Sequence, residues 1–289
     1  MTPPAPEVTA LLVNFNAGEE LRHALQSMAD EMGDRPWEGV VVDNASTDGS
    51  AEIALDFAPA VTLVRNAGNV GFGRGINQGL TRAHAPFVLI MNPDCRLEPG
   101  AVERLMGELA RQPSCAIVGP RILDPDGTEQ GSARGDPDML TGVFGRSAAL
   151  RRLFPALAVS ERNVVPSTSV PTGGSLTVDW VSGACMLARV SALAAVGGFD
   201  ERYFLYWEDA DLCRRLRAAG HDVRYLPSAT AVHRVGQSSR TARASSIRAF
   251  HKSAYLYYAT HVAPGALNLK RPLARALLAA RCWWRLRSV

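Results

Sequence analysis

At 289 residues and 47% hydrophobic, the chain is long enough to bury a substantial core, and its formal charge of +3 is small. Five cysteines, Cys95, Cys115, Cys185, Cys213 and Cys282, form no CxxC pair, which argues against a disulfide framework or a zinc site and for a reducing cytoplasm. The start, MTPPAPEVTA, lacks the basic beginning and apolar run of a secretory signal, and no stretch reaches the roughly 18 apolar residues of a spanning helix, so a soluble or peripherally bound protein is expected.

Residues 8–15 are a near-continuous apolar run, suited to a strand covered on both faces. Residues 19–28 place Leu21, Leu25 and Met28 at helical spacing. Residues 39–43 form a second buried strand, closed by ASTDGS, where Ser46, Thr47 or Asp48 can cap a helix over 51–57. A third strand (61–64) and a helix entered through glycines (72–83) follow. A fourth strand (87–91) ends at Asn92-Pro93-Asp94, before a helix over 98–111 and a fifth strand over 115–119. Such alternation predicts an α/β fold, a mostly parallel sheet with helices on both faces and ligands at the carboxyl ends of the strands. Asn14, Asn16, Asp43, Asn44, Asn69 and Asp94 collect at those ends.

Residues 123–177 break the pattern. Rich in Gly, Pro, Ser and Thr, they predict a long irregular insertion, of a kind that carries binding more often than core. Order returns over 178–187, with a helix over 208–219 and two short strands over 223–225 and 230–232. The tail, 247–289, holds two helical stretches divided near Pro264-Gly265.

Charge is unevenly placed. All 28 acids lie at or before Asp222, with 19 of the 31 bases, and the other 12 bases lie between Arg224 and Arg287. A basic tail on an acidic body predicts either an anionic surface as partner or a tail that folds back on that body. Arg275, Arg281, Arg285 and Arg287 interleave with Leu277, Leu278, Trp283, Trp284 and Leu286, as in an interfacial amphipathic helix on anionic lipid. Nucleic acid is not expected as a partner, since no nucleic-acid-binding module is recognisable.

Five segments carry chemistry. In VVDNASTDGS (41–50), Asp43 ends a buried strand, where its carboxylate can accept a hydrogen bond from a ring N–H of uracil or thymine. An ordinary capped loop is the alternative. In RNAGNVGFGRGINQGL (65–80), glycines permit close backbone approach to a phosphate at a helix start, but the third glycine and the distant acid of a dinucleotide fingerprint are missing. In MNPDCRLEPG (91–100), Pro93 fixes a turn and Asp94 projects as a hard oxygen donor suited to Mg²⁺ or Mn²⁺, or serves only as a turn former. FDERYFLYWEDADLCRRL (199–216) gathers Glu208, Asp209 and Asp211 at a helix start beside Tyr203, Phe204, Tyr206 and Trp207. These acids suit either the helix dipole or proton removal from a hydroxyl, and flat side chains suit the C–H faces of sugars. In ATAVHRVGQSS (229–239), His233 ends a short strand and can offer a nitrogen to the metal of Asp94, or be a structural histidine.

In this order, the five segments resemble those of glycosyltransferase family 2, inverting enzymes of the GT-A fold, and most closely its bacterial rhamnosyltransferase-like members. The likeness spans roughly residues 8–120 and 178–240. It implies a catalytic domain over 1–240, with a nucleotide-binding half (1–120), the insertion (123–177) and an acceptor and catalytic half (178–240), followed by the tail (241–289). It implies that Asp43 binds the base and that Asn14, Asn16, Asn44, Asn69, Gly71, Phe72, Asn77, Asn92 and Trp207 contribute to the nucleotide-sugar site. The family's DXD metal motif is represented by Asn92-Pro93-Asp94, whose first carboxylate is replaced; this leaves Asp94, with His233, to hold Mg²⁺ or Mn²⁺. The family's ED motif maps to Glu208-Asp209, with Asp209 as base.

Processive members carry a QxxRW motif and membrane spans. Here Gln237-x-x-Arg240 is followed by Thr241, which implies one sugar per encounter. The implied donor is dTDP-L-rhamnose, with UDP-sugars next. The implied acceptor is a saccharide or polyprenyl-linked saccharide of cell-surface polysaccharide synthesis, met at the inner face of the plasma membrane. A glycoside hydrolase would need neither the Asp43 loop nor a metal-side histidine. A non-catalytic nucleotide-binding protein would keep Glu208 and Asp209 only as helix caps.

Overall fold

The structure, a computed structural model, describes residues 4–137, 163–234, 243–265 and 267–287. In chain order the first elements are β1 (Val8–Asn14), α1 (Glu20–Met32), β2 (Trp37–Asp43), α2 (Ser50–Ile53), β3 (Val61–Arg65) and α3 (Phe72–Leu80). Next come β4 (Phe87–Met91), β5 (Cys95–Leu97), α4 (Ala101–Arg111), β6 (Cys115–Leu123), β7 (Ala133–Arg134), β8 (Leu176–Thr177) and β9 (Trp180–Val181). The chain continues through β10 (Cys185–Arg189), α5 (Val190–Ala195), α6 (Glu208–Ala218), β11 (Asp222–His233), α7 (Arg243–Tyr257) and α8 (Lys270–Leu286).

The strands form a mostly parallel sheet ordered β3-β2-β1-β4-β10-β6-β11-β5, with β8 added to β11. Its apolar runs are buried on both faces because helices cover both. Leu12, Val41 and Leu89 pack with Leu21 and Leu25 of α1 and Leu105 of α4, while Leu11, Val42 and Ile90 pack with Ile76 of α3 and Leu212 of α6. The glycines of α3 are explained by this packing: a Cβ on Gly75 or Gly79 would stand 2.8 Å from Val13 or Leu11 of β1. They bring helix to strand rather than backbone to phosphate.

Three features refine the sequence reading. Strand β10 lies antiparallel between β4 and β6, and β5 and β8 are also antiparallel to their partner, β11. The ordered stretch expected over 178–187 divides between two sheets: β9 pairs with β7 in a separate two-stranded sheet, and β10 enters the main one. The stretches 223–225 and 230–232 are one strand, β11, whose pairing with β6 continues across a register shift between Leu226 and Thr230.

The start of the insertion is also ordered. The Asp124-Pro125-Asp126-Gly127 turn is closed by Gly127 N–H to Asp124 O (2.8 Å) and Asp124 N–H to Thr128 O (2.8 Å). Residues 138–162 and the Gln237–Thr241 stretch lie outside the described residues. The tail folds back: α7 packs on the start of α6 through Tyr257 and Trp207, and Ala274 of α8 packs against Tyr258 and Ala263. No helix among the described residues is long and apolar enough to cross a membrane.

Candidate active site

The carboxyl ends of β1, β2 and β3 are stitched together by short polar side chains. Asn14 Nδ2 donates to Asp43 Oδ1 (2.8 Å), Ser50 Oγ (2.8 Å) and Ser46 Oγ (3.1 Å), and Ser46 N–H donates to Asp43 Oδ2 (3.1 Å). Asp43 is thereby buried and rigid, with lone pairs left on both oxygens. Asn16, in left-handed backbone, accepts from Thr47 N–H at 2.8 Å. Asn44 Nδ2 donates to Asn69 Oδ1 and Gly71 O, both at 3.2 Å, and Gly71 N–H donates to Asn69 Oδ1 at 2.9 Å. These residues share one edge but do not line the cavity that holds Asp209 and His233. Asn77 stands apart from both, its amide exchanging two 2.9 Å hydrogen bonds with the Phe199 backbone.

The cavity, of about 330 Å³, adjoins that edge at Gly71-Phe72. Phe72 lines it, and Phe72 N–H donates to Phe204 O at 2.9 Å. Gly71 has φ +89°, and a Cβ there would collide with the Phe204 carbonyl, so the crossing admits only glycine. Asn92, Trp207, Glu208, Asp209 and His233 line the same cavity. Strand ends thus supply one side and the start of α6 the other.

Trp207 and Tyr206 carry φ of 74° and 68°, two successive left-handed non-glycine residues. Such backbone is strained and persists only where packing over-determines it. Here the Phe250 ring of α7 packs at a tilt 5.8 Å from Trp207 and edge-on 5.9 Å from Tyr206, and Tyr257 lies 5.3 Å from Trp207. The turn delivers Glu208 and Asp209 into the cavity wall. Asp209 Oδ2 accepts Gly183 N–H at 3.0 Å, whereas Glu208 Oε2 and Trp207 Nε1 are buried without a protein partner. Burial raises the pKa of both carboxyls, and the neighbouring Asp209 charge raises Glu208 further. The Gly183 and Ala210 amides and the Arg134 charge pull Asp209 partly back.

Asp94, buried beside the cavity, places Oδ1 3.2 Å from His233 Nε2, and Asn92 Nδ2 lies 3.2 Å from the same nitrogen. A carboxylate oxygen and an imidazole nitrogen about 3 Å apart have the spacing of adjacent ligands on a cation with bonds of ~2.1 Å. No cluster of three His, Cys, Asp or Glu suited to a metal occurs among the described residues. Two protein ligands nevertheless suit an Mg²⁺-like ion, which binds through one or two protein groups plus substrate phosphates and water.

Four residues of the site escaped sequence reasoning. Arg134 and Trp180 come from the small sheet, with the Arg134 guanidinium 5.4 Å from the Trp180 ring, and both line the cavity. Gln130 and Phe250 line it too. None has a local signature, since each reaches the cavity only through pairing or packing with distant segments.

The pattern of glycosyl transferase family 2 matches residues 9–159, and that of glycosyl transferase family group 2 matches residues 87–252. Over 262 residues the chain is 36% identical to the N-acetylglucosaminyl-diphospho-decaprenol L-rhamnosyltransferase of Mycobacterium tuberculosis, covering 86% of this chain and 82% of that one. The chain belongs to glycosyltransferase family 2. As a member of this family it is an inverting transferase that moves a sugar from a nucleotide diphosphate to an acceptor.

Solved structures agree on its GT-A-like fold. The mannosyltransferase PcManGT from Pyrobaculum calidifontis, in complex with GDP-Man and Mn²⁺, superposes with a TM-score of 0.59 at 18% identity, over 96% of this chain and 74% of that one. GalNAc-T7 with UDP, GalNAc and Mn²⁺ gives 0.63 at 14% identity, over 96% and 55%. In this glycosyltransferase the central sheet, the helices on both faces and the C-terminal helical segment are those of the GT-A class.

Proposed function

We propose that this glycosyltransferase is a metal-dependent, non-processive rhamnosyltransferase that moves one L-rhamnosyl group from dTDP-rhamnose to a polyprenyl-linked saccharide. Its catalytic domain is residues 1–240. The observation that carries this reading is that Asp209 and His233 face one cavity, with Asp94 against His233 and the Asp43 edge adjoining at Gly71-Phe72. The M. tuberculosis relative, whose name specifies an L-rhamnosyl group and a decaprenol-linked acceptor, supports the donor and the acceptor class.

Asp209, oriented by Gly183 N–H, takes the proton of the acceptor hydroxyl. The oxygen bonds to the anomeric carbon from the face opposite the diphosphate, and the bond from that carbon to the diphosphate oxygen breaks. Tyr206, Trp207 and Phe250 line the cavity and supply aromatic surface for the acceptor sugar. Asp43 accepts the ring N–H of the base, with Asn14, Asn16, Asn44, Asn69 and Gly71 shaping the strand ends around the nucleoside. Asp94 and His233 would hold a divalent cation, which when bound would supply positive charge to the departing diphosphate. An anionic membrane surface at the cytoplasmic face is the proposed seat of this chemistry: Leu269, just before α8, and Leu273, Leu277 and Trp284 on it are exposed while Ala274 and Leu278 are buried, and the helix carries Arg275, Arg281 and Arg285.

A panel of nucleotide sugars, scored by thermal stabilisation with and without Mn²⁺, tests the donor, because a ligand of the native state raises its melting point. The largest Mn²⁺-dependent rise is expected with dTDP-rhamnose. A rise confined to a UDP-sugar would move the donor assignment, since Asp43 accepts equally from thymine and uracil.

A further inference from the structure

His233 closes β11 with its ring held between two sets of partners. On one side, Nε2 faces Asp94 Oδ1 and Asn92 Nδ2, each at 3.2 Å. On the other, Nδ1 lies 2.9 Å from Gln130 Oε1. Gln130 decides which ring nitrogen carries the hydrogen. Its Nε2 donates to Asp124 Oδ1 at 2.8 Å and to the His233 carbonyl at 2.6 Å, a carboxylate and a carbonyl that accept. Turning the amide over would set its oxygen against both. Oε1 must therefore face the imidazole, and an acceptor at that place requires a hydrogen on Nδ1. In the neutral ring, Nε2 is left with its lone pair, to which Asn92 Nδ2 donates, while the Asp94 carboxylate beside it presents a second lone pair, a pairing that a shared cation would satisfy.

Gln130 owes its place to the turn that opens the insertion. The Asp124–Gly127 turn folds the chain back on β6, and the Leu123–Glu129 bridge sets the next residue beside the end of β11. Both functional groups of the Gln130 amide are engaged by protein, so its contribution at the cavity wall is to the histidine.

We propose that Gln130, anchored by Asp124, is a positioning residue that fixes the Nδ1–H form of His233 and so readies Nε2 to bind a divalent cation together with Asp94. Outer partners of this kind set the orientation and the donor nitrogen of a ligating histidine, and their loss typically weakens metal binding about 10–100-fold. The proposal rests on the reading of Asp94 and His233 as metal ligands. A loop anchor with no such role would leave metal affinity unchanged when its acceptor is removed.

The test uses the full chain and Mn²⁺ as probe, with free Mn²⁺ followed by electron paramagnetic resonance. Gln130→Met keeps length but removes the acceptor that faces Nδ1. Q130M is expected to weaken Mn²⁺ binding about 10–100-fold. Q130M added to His233→Ala should cost nothing beyond H233A alone, because both act through one nitrogen.

Imidazole nitrogen NMR of the metal-free parent, assigned with H233A, reads the tautomer directly and does not depend on the folding of Q130M. Hydrogen on Nδ1 is expected there. Mn²⁺ affinity of folded Q130M within about threefold of the parent, or a hydrogen on Nε2 in the parent, would overturn the proposal. H233A binding Mn²⁺ like the parent would remove the metal reading beneath it, an outcome the tautomer measurement keeps separate.

Discussion

His261 Nε2 lies 2.6 Å from Asp211 Oδ1, joining the π-turn Tyr258–Val262 that continues α7 to the helix that bears Asp209. The same carboxylate, 1% exposed, also accepts Arg215 Nε at 2.7 Å and the Tyr203 hydroxyl at 3.4 Å. One buried acid thus gathers donors from the tail, from its own helix and from the aromatic loop before it. The tail is thereby fixed with Phe250 against Trp207. Asp211→Ala would strand these donors, and a buried pair broken on one side costs about 3–5 kcal/mol. Urea unfolding should show a loss of that order. A loss below about 1 kcal/mol would mean that the tail is held by its aromatic contacts alone.

Asp209→Asn should retain donor binding and lose turnover by about 10²–10⁴-fold, the usual contribution of a general base. Single-turnover kinetics with a matched donor affinity would establish this. Transfer within about tenfold of the parent would exclude Asp209 as base.

Glu208 predicts a pH dependence with a definite sign. Burial and the Asp209 charge raise its pKa above the ordinary 4.5, so the folded chain binds more protons than the unfolded chain between that value and the raised one. Stability must then fall as pH climbs through the window, and the penalty is complete above the raised pKa. The melting temperature of Glu208→Gln should therefore gain steadily on the parent from pH 5 to about 8.5. If the parent instead gained on the variant with rising pH, the carboxylate would be one that the fold prefers charged.

Leu269, which caps the start of α8, is 88% exposed, and Leu273, Trp283 and Trp284 on the helix are each more than half exposed. Flotation with anionic liposomes should fall sharply for Leu273→Glu with Trp284→Glu, and also on raising salt, because apolar burial and phosphate attraction act together. Flotation that survives deletion of residues 265–289 would detach the membrane from this helix.

The parallel half of the fold was legible because each of its strands is bounded by its own turn chemistry, as Asp43 is by ASTDGS and Met91 by Asn92-Pro93-Asp94. The place of β10 was not, since CMLAR reads as any buried run and nothing local names β4 and β6 as neighbours. Pro227-Ser228 made β11 look like two strands, although pairing with β6 resumes beyond the shift. Within the site, Asp94, Glu208, Asp209 and His233 were conspicuous as charged or ligating residues at element ends. Gln130 was not: its only mark is a neutral amide after a turn, and its partner lies 103 residues away. Asn77, chosen from a glycine-rich segment, faces the Phe199 backbone rather than the cavity.

Because β10 separates β4 from β6, the sheet cannot be finished in the order in which the ribosome delivers it. Everything up to Leu123 can emerge while the inner edges of β4 and β6 still lack the strand that joins them, and that strand arrives some sixty residues later. Unpaired apolar edges of this kind are sticky, and late long-range pairing slows folding. Nascent chains halted before Cys185 should need a holding chaperone, and those halted after α5 should not; equal solubility of the two would show that the first strands close without it.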